Sequence, residues 1–180
     1  MEYPKHSIKK HLDAYLDIET TGLSLYSAEI MVIGLYLTND NQDTIVQLVG
    51  EDITKNNLVE ALAGVQTIFT YNGNRYDLPF IRKMLGVDLN TIAYHNDLIY
   101  DCRKYRLFGG LKAVELQVGI YRYLQSAAGF NIMRSWELYM QEGDREALTL
   151  LLGYNKEDLI SIRVLKEKLL GLTQQNLIDK

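Results

Sequence analysis

Two acidic side chains interrupt an apolar stretch near the beginning of the chain, and they limit what that stretch can become. The stretch AYLDIET, residues 14–20, is typical of a strand and carries Asp17 and Glu19 two positions apart. Because side chains alternate across a strand, both carboxylates lie on the same face. On a partly buried face, two like charges repel each other and lose hydration. The pattern therefore predicts a strand whose acidic face needs a compensating charge.

The composition bounds the kind of protein that contains this strand. A chain of 180 residues, 47% of them hydrophobic, can bury its own core, which predicts a single domain over residues 1–180 with its core at 13–170. Cys102 is the only cysteine, which excludes an intrachain disulfide and a cysteine-cluster zinc site. The net charge of −4 argues against a protein that coats nucleic acid, but not against an enzyme acting on it. Without a signal-peptide pattern or an apolar run of roughly 20 residues, we expect a cytoplasmic protein.

Hydrophobic patterning along the chain predicts a mixed α/β domain in which helices cover a sheet. Strands are predicted at residues 14–20, 29–40, 44–50 and 67–73, and residues 91–98 are expected to hold a short strand that runs into Asp97. The short polar linker between the second and third strands indicates a hairpin, so the first three strands are expected to be antiparallel. The later two strands follow helical segments and are expected to enter the sheet through crossovers.

Helical spacing of apolar residues follows the third strand and dominates the second half of the chain. Helices are predicted at residues 56–65 and 77–86, in pieces between 98 and 143, and over 144–171. Asn56 is a candidate cap for the first helix, and Gly86 is expected just past the end of the second. In the last stretch, Gly153 is the expected break if that stretch forms two helices rather than one.

Three further residues stand where their side chains can join Asp17 and Glu19. Asp77 follows the fourth strand in YNGNRYDLPFI, and Asp158 lies in YNKEDLISI on the last helix. Tyr154 precedes Asp158 by four residues and so occupies the same helical face. Each acid alone has an ordinary interpretation, as part of a solvated strand face, as a helix cap or as a surface acid. Their combination is what indicates a site.

Gathered carboxylates are the ligands that a hard divalent cation prefers. Mg²⁺ and Mn²⁺ bind oxygen ligands and share them with substrate phosphate groups. Two such ions roughly 3.5–4 Å apart support an in-line displacement at phosphorus, and Asp17 is the natural bridge between them. His6, His11 and His95 have no partners at ligand spacing and are not expected to bind metal. Two Mg²⁺ or Mn²⁺ ions are therefore the expected cofactors.

The sequences DIETTGL, YNGNRYDLPFI and YNKED resemble, in this order, the three exonuclease motifs of the DEDD superfamily. A tyrosine four residues before the last aspartate is typical of its tyrosine subclass, DEDDy. The run Asn72-x-x-x-Tyr76-Asp77 is similar to the N-x-x-x-[FY]-D motif in the proofreading domains of family B DNA polymerases. The runs NDLIYDCRKYRL, GLKAVELQVGI and GDREALTLLLGYNKEDLISIRVL resemble the YprB-type ribonuclease H-like family. Together these similarities cover residues 13–170.

The resemblance implies a ribonuclease H-like fold, in which helices flank a central five-stranded mixed sheet. It implies 3′→5′ hydrolysis of DNA or RNA from a single-stranded 3′ end, with release of nucleoside 5′-monophosphates. Tyr154 is implied to orient the attacking water. The implied metal ligands are Asp17, Glu19, Asp77 and Asp158. The residues implied to contact the substrate are Thr20, Gly22, Leu23 and Asn72.

Two alternatives to an exonuclease stay open at this point. The same scaffold can serve as a non-catalytic nucleic-acid-binding module, and the same site can serve a structure-selective endonuclease. The run RKYR at 103–106, with Lys112, is a basic and aromatic stretch that either guides a nucleic-acid strand or is a solvated helix face. Asp97 is expected to cap a helix, with a place beside the site as the second interpretation.

Overall fold

A five-stranded sheet forms the centre of the computed structural model, which describes residues 12–39, 42–122 and 131–178, with side chains as far as 174. The strands are β1 (Asp13–Thr20), β2 (Ile30–Asn39), β3 (Gln42–Val49), β4 (Thr67–Thr70) and β5 (Tyr94–Asp97). Their spatial order is β3-β2-β1-β4-β5, with β1 to β3 antiparallel and with β1, β4 and β5 parallel. The predicted mixed sheet is thereby confirmed. His6 and His11 lie outside the described residues.

Helices cover both faces of this sheet in the predicted order. They are α1 (Lys55–Ala61), α2 (Asp77–Leu85), α3 (Leu98–Lys104), α4 (Leu111–Gln117), α5 (Ile132–Glu142) and α6 (Arg145–Ile178). Gly86 ends α2 in the left-handed conformation (φ 66°), as predicted. Among the described residues, none of the helices is both long and apolar enough to span a membrane.

Two predicted boundaries in the middle of the chain are wrong. Helix α1 is capped by Thr54, whose hydroxyl accepts a hydrogen bond from the Asn57 backbone amide (3.1 Å), and not by Asn56. Strand β4 ends at Thr70 rather than at residue 73, because Asn72 adopts a positive φ of 63° and turns the chain. This turn places the start of α2 beside the end of β1.

Helix α6 continues through Gly153, so the predicted break at this residue is wrong. Leu151, Asn155 and Leu159 form a fully buried face on both sides of the glycine. A glycine inside a helix costs only about 1 kcal/mol relative to alanine, whereas burying one large apolar side chain contributes about 1.5–3 kcal/mol. The continuous buried face therefore keeps the helix intact.

The alternation of side chains in β1 divides the core between the two faces of the sheet. Leu16 and Ile18 pack in the core that α1 and α2 cover. Tyr15, on the opposite face, packs in the core that α6 covers, together with Leu159 and Ile162. Asp17 and Glu19 share the face of Tyr15 and therefore point toward α6. The same strand that supplies the centre of the sheet thus presents its acids to the last helix.

Candidate active site

Three carboxylates meet where β1 faces α6. Asp17 and Glu19 come from β1, and Asp158 comes from α6. Each of the three offers an oxygen atom within 4.8 Å of the others. Glu19 and Asp158 are buried, each with 8% of its surface exposed, and Asp17 is partly buried. The fold therefore brings together acids that are more than a hundred residues apart in the chain.

The fourth acid, Asp77, approaches β1 from the first turn of α2. Its Oδ1 accepts a hydrogen bond from the Ile18 backbone amide (3.1 Å), and the residue is only 3% exposed. The N-cap of α2 is Tyr76, which makes no capping hydrogen bond through its side chain. Asp77 is therefore not the helix cap of the ordinary interpretation. It is tied to the strand that carries Asp17 and Glu19.

Burial and mutual repulsion raise the pKa values of these carboxyl groups. Burial raises the pKa of Glu19 to about 8, and the charge of Asp158 adds to the effect. Burial also raises the pKa of Asp77 to about 7, and that of Asp158 to about 6 although Arg122 acts in the opposite direction. For Asp17, burial and then the charges of Asp158 and Glu19 raise the pKa well above its usual range. The ionised cluster is thus unfavourable unless a cation compensates it.

The donor atoms suit a hard divalent cation. All the converging ligand atoms are carboxylate oxygens, which Mg²⁺ and Mn²⁺ prefer. Glu19 Oε1 is buried and has no hydrogen-bond partner within the described ranges. A buried oxygen left unpaired costs free energy, and a cation would satisfy it. The residues therefore fit a divalent metal ion held by Asp17, Glu19 and Asp158, with Asp77 beside them.

A buried arginine that the sequence does not single out contacts this cluster. Arg122 donates to both carboxylate oxygens of Glu115, from Nε (2.7 Å) and from Nη2 (2.6 Å), and Nη2 also forms an ion pair with Asp158. The side chains of Arg122 and Glu115 are 3% and 2% exposed. The guanidinium compensates part of the negative charge and holds one oxygen of Asp158 in place. Spacing carries no signal for this contact, because the three residues belong to different elements.

Tyr154 lies one helical turn from Asp158, with two cations against its ring. Lys112 Nζ lies 4.5 Å from the ring centre, and Arg122 Cζ lies 5.6 Å from it. Cation–π contacts of this kind restrict the position of an aromatic ring. Because Arg122 also contacts Asp158, the ring is held beside the acid cluster.

Asn155 is a second residue that the sequence did not single out. Its amide group donates to Asp17 Oδ2 (3.2 Å), while its Oδ1 accepts from Gln47 Nε2 (2.9 Å). Gln47 Nε2 also donates to the Leu152 carbonyl (2.9 Å). These bonds fix the amide of Asn155 with its NH₂ group toward Asp17. A signal does exist in the sequence, since Asn155 is a polar residue inside the apolar stripe of α6.

Gly34 on β2 leaves the space that the Asn155 side chain fills. It pairs with Asp17 in the sheet, and a Cβ at this position would collide with Asn155 Oδ1 and lie 2.9 Å from Leu159 Cδ1. We expect Gly34→Ala to displace Asn155 and to lower the melting temperature by roughly 2–10 °C in a thermal unfolding scan. The matched control is Gly171→Ala in α6, since nothing lies within 4 Å of a Cβ there and alanine in a helix is expected to raise the melting temperature slightly. Equal melting temperatures for the two variants would contradict this packing.

The residues expected to contact a substrate lie at the end of β1 and after β4. The hydroxyls of Thr20 and Tyr76 lie 2.5 Å apart, and each also lies within hydrogen-bond distance of the Gly22 carbonyl (2.8 and 3.0 Å), so one hydroxyl donates to the other and the second donates to the carbonyl. Leu23 is 87% exposed, and Asn72 is half-buried in the turn after β4. Thr20 and Gly22 are thus engaged within their loop, whereas Leu23 is open to a ligand.

Asp97 caps α3, as predicted, and also holds the turn before Asp77. Its Oδ1 accepts from the backbone amides of Ile99 (3.2 Å) and Asn72 (2.7 Å), and its Oδ2 accepts from that of Asn74 (3.0 Å). The residue is 4% exposed. Asp97 therefore affects the acid cluster through the backbone that carries Asp77.

A family model matches the sequence of this chain, and several solved structures match its fold. The model for the RNase_H superfamily matches residues 14–170. No curated protein matches the sequence. A family B DNA polymerase from the archaeon Pyrobaculum calidifontis has a similar fold, with a TM-score of 0.66 and 16% identity. That match covers 89% of this chain but 24% of the polymerase, so the chain spans about a quarter of the polymerase's length.

Two further solved structures match over most of their own length. A nuclease in its apo form has a TM-score of 0.60 and 19% identity, with 95% of this chain and 77% of the nuclease covered. NrnC from Brucella melitensis has a TM-score of 0.60 and 16% identity, with 97% of this chain and 79% of NrnC covered. At these identities the likeness concerns the fold.

Proposed function

The chain belongs to the RNase H superfamily through residues 14–170, and on this premise we propose that it is a metal-dependent 3′→5′ exonuclease. The proposed reaction is hydrolysis of phosphodiester bonds in DNA or RNA by a two-metal-ion mechanism, with release of nucleoside 5′-monophosphates. One observation carries the proposal, namely the convergence of Asp17, Glu19 and Asp158 within 4.8 Å inside this fold. A binding module has no use for such a cluster, because bare carboxylates repel phosphate groups.

The proposed metal ligands are Asp17, Glu19, Asp77 and Asp158. Bound Mg²⁺ or Mn²⁺ would supply activation of the attacking water and stabilisation of the departing oxygen. The chain's own contribution is the placement of the ligands. Asn155 fixes the carboxylate of Asp17 through its amide, and Arg122 fixes one oxygen of Asp158.

Tyr154 is proposed to orient the attacking water by a hydrogen bond. A tyrosine hydroxyl is a weak base at neutral pH, so orientation suits it better than proton abstraction. The contacts of its ring with Lys112 and Arg122 support this role, because a ring that is held in place can hold a water in place.

The similar structures are consistent with this reaction class. One of them is described as a nuclease. Another is a family B DNA polymerase, and Asn72-x-x-x-Tyr76-Asp77 resembles the motif of the proofreading domains in such polymerases. By the same resemblance, Thr20, Gly22, Leu23 and Asn72 are proposed to contact the terminal nucleotide.

The proposed function is tested with 5′-labelled single-stranded DNA and RNA in the presence of Mg²⁺ or Mn²⁺. We expect a ladder of products that shortens from the 3′ end and is lost when the metal is chelated. The matched inactive control is Asp77→Asn, because the asparagine oxygen can still accept the hydrogen bond from the Ile18 amide.

The product pattern separates the alternatives. Internal cuts at discrete positions would indicate an endonuclease on the same site. No cleavage of any substrate, with tight binding retained, would contradict catalysis and favour the non-catalytic module. Tyr154→Phe serves as a graded control, since it keeps the ring and its cation contacts while removing only the hydroxyl.

A further inference from the structure

A basic and aromatic surface lies between α3 and α4, at one side of the acid cluster. It consists of Arg103 at the end of α3, Arg106 and Phe108 in the connecting loop, and Lys112 in α4, all with exposed side chains. We propose that this surface, the 103–112 surface, binds single-stranded nucleic acid as the track for the nucleotides that precede the cleaved end. The inference rests on the proposed function, because it names the form of substrate that the site receives.

The position of Lys112 connects this surface to the acid cluster. Its Nζ lies 4.5 Å from the centre of the Tyr154 ring, one helical turn from Asp158. Phe108 precedes Lys112 by four residues, so their Cα atoms are at most about 14 Å apart. A strand whose 3′ end lies at the acids therefore has its preceding nucleotides within reach of Phe108.

The loop that carries Phe108 is fixed, although its side chain is not buried. The Tyr71 hydroxyl donates to the Gly109 carbonyl (2.6 Å), and Gln117 Nε2 donates to the Phe108 carbonyl (2.8 Å). The Phe108 amide in turn donates to Gln117 Oε1 (3.4 Å). The Phe108 ring is nevertheless 61% exposed. An aromatic ring held outward on a fixed backbone is prepared to stack on a base at little entropic cost.

The charges of this surface are available for phosphate groups. Arg103, Arg106 and Lys112 form no ion pair with any of the residues that the structure describes, whereas Lys104 is paired with Asp101 (2.7 Å). The whole chain carries a net charge of −4, and the charge of Lys112 also acts on Glu19 and Asp158, so Arg103 and Arg106 are the cations of this surface that remain for phosphate contacts. Phosphate contacts of this type position a strand without reading its sequence.

The combination of stacking and phosphate contacts favours an unpaired strand over a duplex. A base can stack on the Phe108 ring only when it is not already stacked and paired within a helix. Arg106 precedes this ring in the sequence and Lys112 follows it, as expected of a surface that alternates phosphate and base contacts. The occupant that fits is therefore single-stranded DNA or RNA without a marked sequence preference.

The test measures binding separately from hydrolysis. Fluorescence anisotropy is recorded with labelled oligothymidine, oligouridine and a blunt duplex, using the full chain in the Asp77→Asn background with Mg²⁺ present. We expect Phe108→Ala to weaken single-strand binding about 5-fold or more and Phe108→Trp to restore it, with duplex binding unchanged in both. Arg106→Gln is expected to reduce the slope of log affinity against log salt concentration by about 0.7.

The matched control for Phe108→Ala is Tyr94→Ala on β5, a ring that is 71% exposed and outside the 103–112 surface. The proposal would be overturned if Phe108→Ala left single-strand binding unchanged, or if it weakened single-strand and duplex binding equally. It would also be overturned if the chain with Phe108 intact did not bind a single strand. If the unmodified chain hydrolyses nucleic acid while Phe108→Ala binds normally, only the surface assignment falls. If the unmodified chain does not hydrolyse nucleic acid while Phe108→Ala weakens binding, the binding role of the 103–112 surface is supported and the exonuclease activity is contradicted.

Discussion

Replacing Asp17 by asparagine is expected to abolish hydrolysis and, at the same time, to make the metal-free protein more stable. The charges of Asp158 and Glu19 repel the Asp17 carboxylate. Burial together with these charges raises the pKa of Asp17 well above its usual range. At neutral pH its ionisation therefore costs folding free energy when no cation is present. Asparagine removes that charge, and its oxygen can still accept the hydrogen bond from Asn155.

The two effects of Asp17→Asn have different measurements. Loss of a residue that supports a metal ligand typically lowers metal affinity or activity roughly 10–100-fold. Loss of a proposed ligand itself is therefore expected to lower the rate of nucleotide release about 10³-fold or more. In thermal unfolding with a chelator, each kcal/mol added to the free energy of unfolding is expected to raise the melting temperature by roughly 2–4 °C. The matched control, Glu60→Gln, changes one exposed acid on α1 and is expected to alter neither quantity. A metal-free Asp17→Asn protein that melts below the unmodified chain would contradict the proposed repulsion.

The acids could be found from sequence because their signals are local. Strand alternation puts Asp17 and Glu19 on one face, and helical spacing puts Tyr154 within one turn of Asp158. The path of the chain also follows from local patterns, since apolar runs and turn residues mark strands and helices without knowledge of their partners. The order of these elements was enough to predict a mixed sheet whose first three strands are antiparallel, which the structure confirms, whereas the central position of β1 is known from the structure alone.

The contacts that orient the acids could not be found in this way, because they join residues far apart in the chain, although Asn155 stands out locally as a polar residue in an apolar stripe. One hydrogen bond joins Gln47 on β3 to Asn155 on α6, and the ion pair of Arg122 with Asp158 joins the segment after α4 to α6. The basic run was also incompletely described by sequence alone. Tyr105, which lies in that run, is hydrogen-bonded through its hydroxyl to Thr173, while Phe108, which lies outside it, is exposed.

The continuity of α6 shows how packing outweighs local propensity. Gly153 alone favours a break, yet the buried face on either side extends the helix past it. This matters for the candidate site, since the buried Leu151 before the glycine now anchors the same helix that carries Tyr154, Asn155 and Asp158 after it. Their spacing relative to β1 is therefore set by the core rather than by a loop.

The metal-free protein is expected to lose stability as the pH rises, and a divalent cation is expected to restore it. Burial and repulsion raise the pKa of Glu19 to about 8, that of Asp77 to about 7 and that of Asp158 to about 6. In the unfolded chain these groups titrate near pH 4. A group whose pKa is raised in the folded state stabilises that state fully below about pH 4, and this stabilisation is lost by about pH 8.

The size of this effect is limited by sharing of protons within the cluster. Because the carboxyl groups repel one another, they titrate as a unit. We therefore expect the free energy of unfolding to fall by about 3 kcal/mol in total between pH about 5 and pH about 8, which corresponds to a fall of roughly 6–12 °C in melting temperature. A cation present at a hundred times its dissociation constant would raise the free energy of unfolding by about 2.7 kcal/mol at the higher pH. At the lower pH it must displace protons, so its stabilisation is smaller there.

Thermal unfolding at both pH values, with chelator and with Mn²⁺, measures all four combinations. The double variant Glu19→Gln/Asp77→Asn is the matched control, because it keeps the shape of both side chains while removing two of the titrating groups. Its melting temperature is expected to change less with pH and to respond less to Mn²⁺. If the unmodified chain instead became more stable between the two pH values without metal, or gained equally from Mn²⁺ at both, the acids would not form a coupled cation site.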